Sequence, residues 1–257
     1  MVKNMTSEDS IKRWDKFAEK YAANHLEHGD PHKEVYLNPT LFSLMGNLNN
    51  KKVLDAGCGE GYLSRLMEKA GAAVTAIDYS SKMIEIAKSR TTSELNIEFK
   101  QSNCENLHFI MEGTYDVVVS NMVIQDLEGY QQAFNEIYRV LREGGIFIFS
   151  ILHPCFQTPK SGWEKGHDGK KLYWKVDNYF YEGAYEQRGM DQVIFYHRTL
   201  TSYVKAICEA GFLIEEIVEP TPSEEMLKKY PSFREDFRSP DFIVFRLKKQ
   251  IKVIGKS

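Results

Sequence analysis

The chain has 257 residues, a formal net charge of −3, and 42% hydrophobic and 27% charged residues, the proportions of an ordinary globular protein with material for a sizeable core. The acidic balance argues against a dedicated nucleic-acid binder, which usually carries a basic stripe. No apolar run approaches the ~18 residues of a membrane span. The start, "MVKNMTSEDSIKRW", has no apolar h-region and does not read as a signal peptide. Cys58, Cys104, Cys155 and Cys208 form no CxxC pair, which suits a reducing, cytoplasmic setting and offers no metal-site spacing.

In chain order, "SIKRWDKFAEKYAANH" carries Ile11, Trp14, Phe17, Ala18 and Tyr21 at helical spacing and reads as an amphipathic helix. "NPTLFSLMGNL" reads as a second helix and "KKVLDAG" as a short buried strand. "YLSRLMEKAG" is helical and stops at Gly71. "AVTAIDYS" is strand, and "SKMIEIAKSR" is helix with Ser80 or Ser81 as N-cap. "IEFKQSN" and "YDVVVSNMV" are strands. "YQQAFNEIYRVLREGG" is a helix with Phe134, Ile137, Tyr138 and Leu141 on one face and Gly144 past its end. "IFIFSIL" is strand, "TLTSYVKAICEAGF" helix, and "LIEEIVE" and "DFIVFRLKK" strands. The alternation implies an α/β fold with a mostly parallel, doubly wound sheet. The weak helical signal between the last two strands suggests one antiparallel strand there.

Pro154 to His197 breaks the rhythm with ten aromatics and with five lysines between Lys160 and Lys175. A segment this long is usually functional or disordered, and its aromatics argue against disorder. It reads as an insertion folded over the carboxyl edge of the sheet. Trp163, Trp174, Tyr179 and Tyr181 could enclose an acceptor, or could be the insertion's own small core.

"VLDAGCGEGYLS" follows the first strand, with Gly57, Gly59 and Gly61 at every second position after Asp55. Glycines there permit a tight turn and close approach of a ligand, outside the carboxyl ends of the strands where open parallel sheets bind ligands. Asp78 stands at the end of the second strand, where a carboxylate can accept from a ribose diol; it could also simply cap the next helix.

Together with "IDYS", "QSNCENLHF" and "YDVVVSNMVIQDL", this turn resembles the class I S-adenosylmethionine-dependent methyltransferase family, over roughly Trp14 to Ser150 and the terminal helix and strands. The resemblance implies a Rossmann-like, seven-stranded sheet in a single domain, 1–257. Residues 1–50 would form an N-terminal helical cap, 51–152 and 198–250 the core, and 153–197 a substrate lid. It implies S-adenosylmethionine as cofactor. Asp55 would lie near the amino group, with Gly57, Cys58, Gly59 and Gly61 around the methionine part. Asp78 would hold the ribose, Tyr79 and Met83 would pack on sugar and adenine, and Asn103 and Cys104, with Glu105 beside them, would meet the adenine edge. Asn121 would offer its carbonyl to the ammonium, next to Met122, and Tyr21 would close over the cofactor. Many relatives have Asp where Asn103 stands.

Methyl transfer needs alignment of the acceptor and exclusion of water, and a hydroxyl or protonated amine acceptor can also need a base. His153, His197 and Asp126 are the candidates, or no base is used. Gln125 would face the acceptor. The expected reaction is O- or N-methylation of a small molecule by a monomer or homodimer, with no metal, nucleic acid or membrane. The competing readings are an RNA-base methyltransferase, a non-catalytic cofactor-binding regulator, and a dehydrogenase, the last disfavoured by GxGxG spacing.

Overall fold

The computed structural model describes residues 5–251 except Arg188 and Asp191; the first four residues of the expected cap and the last six of the chain lie outside the described residues. Helix α1 (Ser7–Ala23) opens on a capping box in which Thr6 Oγ1 accepts the Asp9 N–H and the Asp9 carboxylate accepts the Thr6 N–H. A π-helical turn, Lys33–Leu37, leads into α2 (Asn38–Met45). Strands and helices then alternate as β1 (Lys52–Ala56), α3 (Tyr62–Lys69), β2 (Ala73–Asp78), α4 (Ser81–Arg90), β3 (Ile97–Gln101), β4 (Tyr115–Asn121), α5 (Tyr130–Val140) and β5 (Leu141–Leu152). The insertion forms β6 (Gly162–Lys165), β7 (Lys171–Lys175), β8 (Gly183–Glu186) and β9 (Ile194–His197). The chain ends in α6 (Leu200–Glu209), β10 (Phe212–Val218), α7 (Glu224–Lys229) and β11 (Phe242–Lys249).

The main sheet has seven strands in the order β10-β11-β5-β4-β1-β2-β3. Only β11 runs against its neighbours, so the fold is the expected Rossmann-like sheet with one antiparallel strand. Alternation along β5 explains its two faces. Phe147, Phe149 and Ile151 join Phe134 and Ile137 of α5 in one core, while Ile146 and Ile148 join Leu41 of α2 and Met67 of α3 in the other. The chain steps outward from β1 to β3, then returns to place β4 on the other side of β1. That reversal is the switch point where such sheets bind ligands.

Helix α5 is shorter than its periodicity predicts. Leu141 is extended (φ −72°, ψ 140°) and pairs with Tyr115 at the start of β5. Burying Leu141 in the sheet outweighs one more helical turn, and Gly144 (φ +71°) lies within β5 instead of past the helix end. Between β10 and β11 lie only the six-residue α7 and a 3₁₀ stretch, Pro231–Arg238, and the strand that follows is the antiparallel one. Ser80, not Ser81, caps α4 by accepting the Met83 N–H. No described helix is long and apolar enough to cross a membrane.

The insertion is two separate antiparallel hairpins. Hairpin β8–β9 packs on α1: Val193 and Phe195 share a small core with Phe17, against Trp14 and Tyr21. Hairpin β6–β7 sets Trp163 opposite Trp174 and leaves Leu172 and Tyr173 exposed.

Candidate active site

Two cavities meet at the carboxyl ends of β1, β2 and β4. The first, of about 670 Å³ and partly open, is lined by the glycine turn, Asp78, Tyr79, Met83, Asn103, Cys104 and the strand end at Asn121 and Met122. Its roof is α1, through Ser7, Ser10, Ile11, Trp14 and Tyr21. The sequence reading found Tyr21 but not the other four, although Trp14 and Tyr21 stand seven residues apart on one helical stripe.

Gly57 and Gly59 serve different ends. A Cβ on Gly57 would run into the Val123 side chain, so Gly57 lets the turn pass beneath the loop after β4. A Cβ on Gly59 (φ +54°) would find only Tyr21, 3.9 Å away, and would project into the cavity. Gly61 lines neither cavity. It seats the start of α3, where a Cβ would press on Ala87, Arg65 and Phe99.

The Asp78 carboxylate is fixed by the Gly59 N–H (2.8 Å) and the Ser80 N–H (2.9 Å). Desolvation pushes its pKa up to about 6 against those hydrogen bonds. Each oxygen keeps a free lone pair, as a diol requires. Asp55 is fully buried, accepts from Ser64 Oγ at 2.5 Å, and is pushed by burial up to about 7. Among the described residues no cationic side chain forms an ion pair with either acid. Asn103 Oδ1 accepts the Glu105 N–H (2.9 Å) and keeps one lone pair. Glu105 is turned away from both cavities: it accepts from Asn103 Nδ2, Ser7 Oγ and the Gly129 N–H, tying three segments together. Burial pushes the thiols of Cys58 and Cys104 up, so both are inert packing groups.

Met122 has a left-handed backbone (φ +64°), a strained conformation for a side-chain-bearing residue. Its N–H donates to both the carbonyl and Oγ of Ser150, each at 3.0 Å, and its side chain lines both cavities.

The second cavity, about 790 Å³ and partly open, shares Trp14, Tyr21 and Met122 with the first. Leu37, Leu152, Met190, Phe195 and Phe242 give it apolar walls, and Asp30, His32, Lys33, Gln125 and Gln187 polar points. Gln125 Oε1 accepts the Leu152 N–H at 2.7 Å. A backbone N–H can only donate, so the amide orientation is fixed, and Gln125 Nε2 is buried without a partner.

Four expected acceptor contacts lie elsewhere. Trp163 and Trp174 meet edge to face, with 5.3 Å between ring centres, and Trp174 Nε1 donates to the Phe156 carbonyl. Tyr179 Oη accepts the Leu200 N–H, and Tyr181 Oη donates to the Ala184 carbonyl. They hold the insertion together and line neither cavity. The candidate bases are likewise engaged. His153 Nδ1 accepts the Cys155 N–H, so its Nε2 is the donor to Glu219, 2.8 Å away. His197 Nε2 donates to the Tyr179 carbonyl at 2.9 Å. Both rings are buried outside the two cavities, and burial pushes both pKa values down. Asp126 does line the first cavity, with a buried, unpartnered Oδ1, and burial pushes its carboxyl well up.

A methyltransferase domain family matches residues 54–149. The structure of a candidate S-adenosylmethionine-dependent methyltransferase from Listeria monocytogenes superposes with a TM-score of 0.74 at 32% identity, over 83% of this chain and 96% of that one. This chain belongs to the class I S-adenosylmethionine-dependent methyltransferases. Other relatives of this methyltransferase include an uncharacterized Haemophilus influenzae protein, 30% identical over 80% of this chain and 82% of its own. The malonyl-[acyl-carrier protein] O-methyltransferase of Pectobacterium atrosepticum is 35% identical over 44% of this chain, and the match spans 43% of that protein. The methyltransferase's cofactor is S-adenosylmethionine, and the first cavity fits it. Asp78 presents two acceptors to a diol and Gly59 leaves its cradle open, while Asp55 borders a smaller polar space beneath the glycine turn, where it suits an ammonium.

Proposed function

We propose that this methyltransferase moves a methyl group to an oxygen or nitrogen atom of a small-molecule acceptor held in the second cavity. The observation that carries this is the shared wall: Trp14, Tyr21 and Met122 border both cavities, so an acceptor in one lies next to a cofactor in the other. The mixed lining, apolar walls with a few polar points, is that of small-molecule sites. The relative named as an O-methyltransferase supports oxygen as the acceptor atom.

In this reading Asp55 and the Asn121 carbonyl face the cofactor's ammonium, Asp78 its ribose, and Tyr79, Met83, Asn103 and Cys104 its base. The bound cofactor supplies a methyl group activated on a sulfonium sulfur. Trp14, Tyr21 and Phe195 exclude water from the junction, and Met122 fixes its floor. Gln125 offers its free amide hydrogens to the acceptor. No general base is assigned. His153 and His197 point into their own hydrogen bonds, and burial disfavours the charged form of the Asp126 carboxyl. Placement therefore supplies the rate.

The test is incubation with methyl-labelled S-adenosylmethionine and a cell extract divided by dialysis into small and retained fractions. Label is expected in a new dialysable product, separated by chromatography from S-adenosylmethionine itself. Label on retained RNA or protein would refute the small-molecule reading. Tight binding of S-adenosylhomocysteine with no labelled product in either fraction would favour a non-catalytic cofactor-binding protein.

A further inference from the structure

Near its junction with the first cavity, the second offers an acceptor two free hydrogens and no group to take a proton. The hydrogens belong to Gln125, which borders the second cavity from a 3₁₀ turn, Ile124–Asp126. Its neighbour Asp126 and nearby Met122 border the first. Arg198, itself buried, fixes the turn by donating to the carbonyls of Ile124 (3.3 Å), Leu127 and Glu128 (3.2 Å). Its guanidinium lies over the Tyr130 ring, 4.0 Å from the centre. Gln125 is 4% exposed, and Oε1 is taken by the Leu152 N–H, so the two hydrogens on Nε2 are left unpaired. Leaving such a buried donor unpaired costs about 1–3 kcal/mol, and a lone pair is what it lacks.

The other polar groups of that wall are engaged or distant. Asp30 Oδ1 accepts the N–H groups of His32 (2.9 Å) and Lys33 (3.1 Å), and its Oδ2 accepts from Lys33 Nζ (2.6 Å). Lys33 and Asp30 thereby cancel each other's charge. Of Trp14, Tyr21 and Met122, which border both cavities, only Tyr21 titrates, and burial pushes its hydroxyl up. His32 borders the second cavity alone, its exposed ring set against Phe233 (5.0 Å between ring centres) and Phe242 (6.4 Å). A nucleophile at the junction must therefore arrive with its lone pair already free. Near neutral pH an alcohol still holds its proton and an aliphatic amine carries an extra one, whereas a carboxylic acid is ionised and has lone pairs on both oxygens.

We propose that the acceptor atom is a carboxylate oxygen and that the Gln125 amide holds the other oxygen of the same group, a proposal that rests on the second cavity being the acceptor site. N–H donors to a carboxylate form charge-assisted bonds, which offset part of the cost of burying the anion. Leu37, Leu152 and Phe195 cover the apolar part of the acceptor. The free oxygen bonds the methyl carbon, and the carbon–sulfur bond breaks with its electron pair kept by sulfur. The negative charge of the carboxylate and the positive charge of the sulfonium cancel, and a methyl ester forms. No proton is released, which is why the junction needs no base.

The test adds mild alkali to the labelling experiment on the full chain. Alkali hydrolyses a methyl ester and releases the label as volatile methanol, whereas N-methyl groups and methyl ethers keep it. The wild-type protein is expected to yield a purified product whose label becomes volatile, and this arm needs no variant to fold. Volatile label from a retained product would keep the carboxylate and overturn the small-molecule reading. Dialysable label that stays non-volatile would do the reverse, and no labelled product at all would overturn both. Gln125→Glu keeps an oxygen for the Leu152 N–H and removes the amide hydrogens. It should lower ester formation roughly tenfold or more, with calorimetric affinity for S-adenosylhomocysteine unchanged. Wild-type ester formation in that variant, or loss of S-adenosylhomocysteine affinity along with it, would overturn the role given to Gln125.

Discussion

The two hairpins of the insertion are similar in length and both rich in aromatic residues, yet they stand in opposite relations to the site. Hairpin β8–β9 shares a core with α1 and sends Phe195 into the wall of the second cavity. Hairpin β6–β7 pairs its two tryptophans with each other, with Lys171 and Arg238 over the Trp163 ring. Aromatic content therefore does not mark the proposed acceptor pocket. What marks it is which rings are buried against another element that also borders the cofactor.

Three measurements sharpen or break this contrast. Phe195→Ala should have the largest effect. Phe195 is 3% exposed, so truncation should cost about 3–5 kcal/mol of stability and lower methyl transfer, read by denaturant unfolding and labelled-methyl incorporation. Wild-type stability in that variant would break the claim that β8–β9 is part of the site. The second measurement concerns the floor beneath both hairpins. Asp55 and Asp78 are raised to about 7 and about 6, against roughly 3.9 for an unfolded Asp. Between those values the folded chain binds more protons than the unfolded one, so stability is greatest below about pH 4 on their account. It falls as pH rises through about 6 and 7. The melting temperature without cofactor should decline across that window, and Asp55→Asn should flatten the decline. Trp163→Ala is expected to change least. Loss of one edge-to-face pair in a half-buried hairpin costs about 1 kcal/mol, and cofactor binding and transfer should be unaltered. Loss of transfer there would return β6–β7 to the acceptor site.

The residues of the candidate cofactor side were legible because they are local. Asp55 ends β1 beside the turn of Gly57 and Gly59, and Asp78, Asn103 and Asn121 stand at or just past the ends of strands whose order the βαβ pattern dictates. The acceptor side was not, because facing depends on packing between distant segments. His153 does follow the fifth strand and His197 does end the insertion, but Glu219 and the Tyr179 carbonyl, 66 and 18 residues away, claim their rings. Lys33 was missed for the opposite reason. Its turn, "HLEHGDPHK", reads as a solvated loop, and Tyr21 together with the ion pair to Asp30, three residues back in the chain, keeps the buried ammonium charged. The early end of α5 is a tertiary override of the same kind, in which Leu141 exchanges helical periodicity for a place opposite Tyr115.

Strand β11 has a consequence for how the chain comes off the ribosome. It lies between β10 and β5 and is their only link in the sheet, yet it is synthesised after both, with the whole insertion and α6 intervening. Until residues 242–249 emerge, β5 presents an unpaired apolar edge and β10 has no partner. Assembly of this sheet therefore waits on non-local pairing, the slow step in folds of high contact order. The nascent chain carries an exposed strand edge, prone to mispairing, from the completion of β5 at Leu152 until β11 follows at Phe242. A chaperone acting on this protein would find its binding site at β5 and lose it when β11 docks.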